Sequence, residues 1–384
     1  MIKLVIQGAS GLKNSGDEAI LQSMLQQLEP EYDITVITFH VAYSERMHPK
    51  VKFVAMGSRE CRKAVEDCDI FVLGGGGLLQ DETSIYNVSR WLRYLTLCIR
   101  KGKKTYLYAN SIGPVRFGIN RILIQRWLKR VTRITLRDEL SLQLLKSMGI
   151  RENVEVTADP VFSLRREENV DVSRFALPEK YAVICVRHWY DTHPFIPVSL
   201  CTKLHIRSRN NRKNYHNYIK NIAWLADYII RKYHLPVVFL PFLYGRDNHV
   251  MEDVSRLMKA DSVIVEDEYL KPLEALEIIA GSELLVGMRL HSIIYGAVSE
   301  VPTLIISYSM KVKGMAEYMR MGKYVLHVDG LKHSEIAVVL SEIMKNKEQI
   351  KQDFQTAAGH LREKEKRNHE ILEELSESMQ RKNG

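Results

Sequence analysis

The sequence predicts an α/β protein of two doubly wound domains, each a parallel sheet covered by helices. Three observations lead there. Short apolar segments alternate with amphipathic helical segments along most of the chain. The alternation breaks once, across a charged stretch at 161–180 that carries Pro178. The 384 residues are also too many for a single ordinary core.

A strand is expected at 3–7, followed by a Gly/Ser/Asn loop and a helix at 17–28 with Ile20, Leu21, Met24, Leu25 and Leu28 on one face. Further strands are expected at 34–39, 70–73, 105–109, 133–136 and 154–157. Helices fit between them at about 59–65, 85–100, 119–130 and 139–148. A second alternating set begins with a strand at 181–186 and continues with strands at 237–241, 262–265, 284–287 and 303–307. Its helices fall at 215–232, 247–259, 272–280, 292–298 and 314–319, and 334–382 reads as charged and helical. The predicted organisation is a first domain at 1–165, a linker at 166–180, a second domain at 181–345 and a helical tail at 346–384. One stretch departs from the pattern: 189–214 is polar and basic, and reads as a mobile basic loop.

Bulk properties narrow the function classes. No apolar run approaches the roughly 20 residues needed to span a bilayer, and the first residues read as a buried strand, not as a signal peptide. Cys61, Cys68, Cys98, Cys185 and Cys201 are scattered without a CxxC pair, so neither a disulfide framework nor a metal site is expected, and a reduced cytoplasmic setting follows. The formal charge of +9 suits anionic partners or serves solubility. No nucleic-acid-binding motif is present.

Six segments could carry chemistry. GASGLKNSGDEAI, from Gly8, is a glycine-rich loop opening a helix, with Asn14 in the loop and Asp17 and Glu18 in the first turn. The two acids could act chemically or only complement the helix dipole. FVLGGGGLLQDET follows a buried strand; its glycines, Gly75 and Gly76 among them, suggest close backbone approach by a ligand, with Gln80 and Asp81 beside it. Asn110 and Ser111, in ANSIGPV, lie at another strand end and could hold sugar hydroxyls or form a turn. Arg137, in ITLRDELS, ends a strand with a fork suited to carboxylate or phosphate, unless a neighbouring acid takes it. ELLVGMRLHSIIYGA places Arg289 and His291 where a strand gives way to a helix, so an anion clamp and a proton donor sit together. Lys311 and Lys313, in ISYSMKVKGM, follow the next strand and precede a helix on the same sheet edge.

Taken in order, these segments resemble the polysaccharide pyruvyltransferase family, in particular its bacterial CsaB-like members. The resemblance rests on Asn14, Gly16, Asp17 and Glu18, the run Gly74 to Gly77, the pair Arg137 and Asp138, and the triplet Arg289, Leu290 and His291. It implies two Rossmann-like domains in a GT-B-like fold, phosphoenolpyruvate as donor and co-substrate, and no other cofactor. Carried over, Arg137, Arg289, His291, Lys311 and Lys313 would bind the donor, and His291 would also act as general acid. Asp17 or Glu18 would serve as base, with Asp81 a third candidate. Asn14, Gly75, Gly76, Gln80, Asp81, Asn110 and Ser111 would hold the glycan acceptor, which the resemblance makes lipid-linked. A peripheral membrane contact through the basic stretch and Trp189 is the corresponding expectation. The alternative is a nucleotide-sugar-dependent GT-B glycosyltransferase, with Glu274 or Glu277 on the donor ribose. A non-catalytic glycan binder is the third reading.

Overall fold

The computed structural model describes residues 1–28, 30–82, 84–167, 170–192 and 198–383. The chain divides into two units: unit 1 comprises 1–12, 17–165 and 361–384, and unit 2 comprises 13–16 and 166–360.

In unit 1, the apolar runs predicted as strands become β1 (Ile2–Gln7), β2 (Tyr32–Thr38), β4 (Ile70–Leu73), β6 (Lys104–Ile112), β7 (Arg133–Leu136) and β8 (Val154–Val156). The helices between them are α1 (Ser15–Leu28), α3 (Arg59–Asp67), α4 (Asn87–Arg100), α5 (Gly118–Leu128) and α6 (Glu139–Ser147). Three elements escaped the sequence reading: α2 (Val41–Met47), β3 (Lys52–Ala55) and β5 (Gly76–Leu79). The first two are a helix and a strand too short for periodicity to register. The third begins inside the glycine run, which pairs in parallel with β6, Gly76 opposite Asn110. The sheet order is β3-β2-β1-β4-β6-β7-β8, with β5 on β6, so the topology reverses between β1 and β4. The Gly8 loop and the glycine run both leave the sheet at that reversal, where open α/β sheets form their crevices.

Unit 2 repeats the plan with β9 (Ala182–Cys185), α7 (Val198–Leu204), α8 (Arg209–Tyr233), β10 (Val237–Phe239), α9 (Arg246–Ser255), β11 (Ser262–Ile264), α10 (Pro272–Ala280), β12 (Leu284–Gly287), α11 (Leu290–Val298), β13 (Thr303–Ser307), α12 (Met310–Tyr318), β14 (Val325–His327) and α13 (His333–Lys345). Its parallel sheet runs β11-β10-β9-β12-β13-β14, reversing between β9 and β12. Leu284, Leu285 and Val286 of β12 are fully buried, as are Val237, Val238 and Phe239 of β10. Continuous apolar strands of this kind are what a sheet covered on both faces requires.

Two expectations need correction. The basic stretch at 189–214 is not a loop throughout: the Ser208 hydroxyl accepts from the Asn211 amide at 3.2 Å, capping α8 so that Arg209, Arg212 and Lys213 ride its first turns. Residues 193–197 of that stretch lie outside the described residues. Lys311 and Lys313 do not precede their helix but belong to its first turn, because Ser309 caps α12.

The last helix, α14 (Lys347–Asn383), counts with unit 2 to His360 and with unit 1 from Leu361. Buried Glu365 anchors the latter part. It accepts from the Tyr108 hydroxyl at 3.2 Å, from the Gln27 amide at 3.4 Å and from the Ser163 hydroxyl.

Candidate active site

The chemistry-bearing cluster of unit 2 sits where its sheet reverses. β12 ends at Gly287, and Arg289 is the residue from which α11 starts, so the side chain leaves the strand end while helix amides open beside it. Arg289 is held from behind by Asp247, on the first turn of α9. Its Nε donates to Oδ2 at 2.8 Å and its second nitrogen to Oδ1 at 2.5 Å. The Asp247 carboxylate, fully buried, also accepts from the Leu243 amide at 2.8 Å and the Phe242 amide at 3.2 Å. Burial alone would raise this carboxyl; Arg289 and His188 outweigh it and hold the group well below the usual carboxylate range. Arg289 is therefore fixed in orientation and charge before any ligand arrives.

His188 and Arg187 enter from the end of β9, the strand next to β12. Nδ1 of His188 lies 3.5 Å from Arg289 and 3.7 Å from Asp247. Burial lowers the His188 imidazole, favouring its neutral form near pH 7. The Arg187 guanidinium lies 4.0 Å from the Tyr308 ring centre and 5.1 Å from that of Trp189; Tyr308 follows β13. Two arginines from adjacent strands therefore reach the same sheet edge, each held by a different device.

His291 lies two residues beyond Arg289, half-buried on the first turn of α11. Its ring packs on Gly16: a Cβ there would meet His291 Nδ1 at 2.2 Å and Cγ at 2.6 Å. Gly16 belongs to the short segment 13–16 that unit 2 includes. The Ser15 amide donates to the Phe242 carbonyl at 2.8 Å, the Tyr244 amide to the Lys13 carbonyl at 3.0 Å, and Asn14 bridges Leu243. The Asn14 side chain accepts from the Gly16 amide at 3.1 Å. Of the two lysines, Lys311 is half-buried, whereas exposed Lys313 lies 3.8 Å from Glu317.

Unit 1 carries the other candidates. Arg137 leaves β7 and is ion-paired with buried Asp159 rather than with adjacent Asp138. Glu18 is fully buried and braces the first loop. It accepts from the Gly11 amide at 2.8 Å and the Ser10 hydroxyl at 3.4 Å, with His48 at 3.6 Å. Asp81 accepts from the amides of Arg116 at 2.8 Å and Phe117 at 2.9 Å, and from Asn120 at 3.1 Å. Burial would raise its carboxyl, but these donors hold it below the usual range. Both carboxylates shape loops. Asp17 is half-buried beside the glycine run, its Oδ1 3.4 Å from a Cβ placed on Gly76. The glycines are needed where they stand: Gly76 has φ +104°, and a Cβ on Gly75 would meet Ile20 at 3.0 Å. Asn110 donates to the carbonyls of Leu73 at 2.8 Å and Gly74 at 3.1 Å, pinning the run to the sheet. Ser111 is buried in β6, and Gln80 accepts from the Glu82 amide at 2.7 Å.

A family model for polysaccharide pyruvyl transferase matches residues 14–310. The chain belongs to that family. The matched span contains the motifs from Asn14 to His291 on which the sequence resemblance rests, while Lys311 and Lys313 lie just beyond it. A curated relative, the amylovoran biosynthesis protein AmsJ of Erwinia amylovora, is 24% identical over 279 residues, which cover 70% of this chain and 64% of AmsJ. Solved structures share the fold at low identity. MnaA of S. aureus, solved with UDP, aligns with TM-score 0.62 and 11% identity over 96% of this chain and 94% of that one. The UDP-GlcNAc 2-epimerase of Neisseria meningitidis, bound to UDP-GlcNAc, aligns with TM-score 0.61 and 14% identity over 97% and 100%. This member of the pyruvyl transferase family is thus built on two Rossmann-like α/β units of GT-B type.

Three residues of this family member's site went unread in the sequence: Arg187, His188 and Asp247. The first two sit in VRHWYD at the boundary of an apparent loop, and Asp247 looks like an ordinary acid in a helical first turn. The available signal was positional. VRH follows a strand as MRLH does, and adjacent strand ends carrying Arg–x–His and Arg–His point to one crevice.

Proposed function

We propose that this protein transfers a pyruvyl group from phosphoenolpyruvate to a sugar of a lipid-linked cell-surface polysaccharide precursor, forming a ketal and releasing phosphate. The observation that carries the reading is the pre-set Arg289, locked bidentate on buried Asp247 with His291 one short step along the same helix start. A small enol phosphate bearing a carboxylate needs several oriented cations. Arg289, Arg187 and Lys311 supply them on one edge of unit 2.

In the proposed reaction, His291 delivers a proton to the methylene carbon of the donor. The enol carbon becomes oxocarbenium-like, and a sugar hydroxyl attacks it. A second hydroxyl then displaces phosphate and closes the ketal, each hydroxyl giving up its proton to a base. Asp17, Glu18 and Asp81 are the carboxylates from which that base is drawn. The neutral His188 beside Arg289 keeps the clamp from accumulating a further cation in the absence of donor.

The nucleotide-sugar reading draws on the fold likeness alone. It relied on Glu274 or Glu277 to hold a ribose, and both are taken. Glu274 is bound by Arg174 through both oxygens and caps α10 through the Lys271 amide at 2.8 Å. Glu277 is bound by Arg166 at 2.6 Å. The deciding experiment measures phosphate release from phosphoenolpyruvate with a panel of lipid-linked disaccharides. Release that depends on acceptor and is lost in His291→Ala supports the proposal. Thermal stabilisation by UDP-sugars but not by phosphoenolpyruvate would overturn it.

A further inference from the structure

From Thr83 to Arg137 the sequence has thirteen lysines and arginines and no aspartate or glutamate. The whole chain carries only +9, so everything outside this segment sums to a net of −4. The segment is unit 1's α4, β6, α5 and β7, and it does not contain the basic stretch at 189–214.

Its outer surface is also apolar where helices usually are not. Beside α5 and on it, Phe117, Ile119 and Ile122 are 45%, 55% and 59% exposed, and Tyr86, at the start of α4, is 72% exposed. The two helix starts are tied together: Asn120 of α5 donates to the Ile85 carbonyl at 3.0 Å, and Asp81 accepts from the Phe117 amide. The large apolar side chains therefore form one patch, with exposed Arg90 and Arg126 beside it and Arg116 paired with Glu82 at 3.2 Å.

The cations are crowded as well as numerous. Arg100, Arg126 and Arg130 stack around the single Trp127 indole, at 5.1, 5.5 and 5.6 Å from its centre. Next to them Arg59, Arg62, Arg93 and Arg100 line an open recess of about 450 Å³ on unit 1. Of these arginines, Arg62 pairs with Glu66 at 3.2 Å. Like charges at this density repel one another unless an anionic surface faces them.

We propose that the α4–α5 face of unit 1 docks on an anionic lipid bilayer. Phe117, Ile119, Ile122 and Tyr86 enter the headgroup region, while the surrounding arginines meet lipid phosphates. The apolar members decide the partner. A nucleic acid or a soluble polyanion would satisfy the arginines but leave two isoleucines and a phenylalanine in water, whereas a membrane interface takes both kinds of side chain at once. No helix among the described residues is long and apolar enough to cross a membrane. The inference stands apart from the pyruvyl transfer reading, because none of the side chains proposed to meet the bilayer belongs to that site.

The test is sedimentation of the full chain with phosphatidylglycerol/phosphatidylcholine vesicles and with phosphatidylcholine vesicles alone. Binding should require phosphatidylglycerol, fall as salt rises, and weaken about fivefold for each of Arg90→Gln and Arg126→Gln. Ile119→Asp combined with Ile122→Asp should abolish it. Both positions are exposed, so the far-ultraviolet spectrum and the thermal transition of that variant should match the parent. Phosphate release with a water-soluble acceptor should also be unchanged, which separates a failed docking surface from a failed catalytic assignment. The proposal is overturned if the parent ignores phosphatidylglycerol vesicles or if the doubly charged variant still sediments with them. It is equally overturned if duplex DNA binds parent and variant alike and more tightly than vesicles do.

Discussion

His291 occupies space that Gly16 leaves open: a methyl group on Gly16 would lie 2.2 Å from the imidazole Nδ1. The two positions are 275 apart in sequence, yet the ring can take its place only because the first turn of α1 carries no side chain there.

Gly16→Ala should therefore behave as a lesion of His291. Alanine is the better helix former, so the fold should tolerate it. The ring, however, must rotate away, and a displacement of this size at a proton donor costs about 100-fold in turnover. Phosphate release from phosphoenolpyruvate, read beside thermal unfolding, checks this. Full activity in the alanine variant would show that the ring's position does not matter.

Asp247 and Arg289 should fail differently. Asp247→Asn leaves a partly buried guanidinium without its carboxylate, at a cost of about 3 kcal/mol in stability. Arg289→Lys keeps the charge but loses the fork, so donor affinity should fall more than folding does. Denaturant unfolding and donor titration of both variants make the comparison. Because the Asp247 carboxyl is held low, its stabilising share is present above the ordinary carboxylate pKa and is lost only as pH drops through the lower folded value. Equal loss of donor affinity and stability in both variants would remove the distinction between clamp and support.

Glu365 gives the opposite pH signature. Burial raises its carboxyl above the ordinary 4.5, despite hydrogen bonds from Ser163, Gln27, Asn368 and Tyr108 that pull it down. A raised folded pKa means stability that is complete below 4.5 and declines as pH climbs through the folded value. Glu365→Gln removes that decline, so parent and variant melting temperatures should diverge, in the variant's favour, as pH rises above the ordinary 4.5. Parallel curves would mean that the carboxyl titrates normally.

Asp81→Ala tests whether that acid shapes its loop or binds acceptor. It should cost about 1–3 kcal/mol of stability through three orphaned donors, with phosphoenolpyruvate affinity unchanged. A stable variant with weakened acceptor binding would return Asp81 to the acceptor site.

The alternation of apolar and amphipathic segments was readable because strand and helix periods are local properties of a chain. β4, β7, β12, β13 and α10 occupy the residues expected of them. β5 was not readable, since glycines carry no strand signal and only pairing with β6 makes Gly76–Leu79 a strand. The helical basic stretch was misread because its polarity outweighed a capping serine in a sequence with no strong stripe until Tyr215.

By itself the sequence determined the two α/β units, the order of their elements and the strand ends from which Arg137, Arg289 and His291 emerge. It also determined the family, through short motifs spread along the chain. Tertiary structure alone decided which charges meet. Arg289 found Asp247 rather than a near neighbour, Arg137 found Asp159 rather than adjacent Asp138, and His291 found the vacancy at Gly16. Periodicity is written within a few residues, whereas an ion pair depends on strand order and register, which bring together side chains that sequence distance keeps apart.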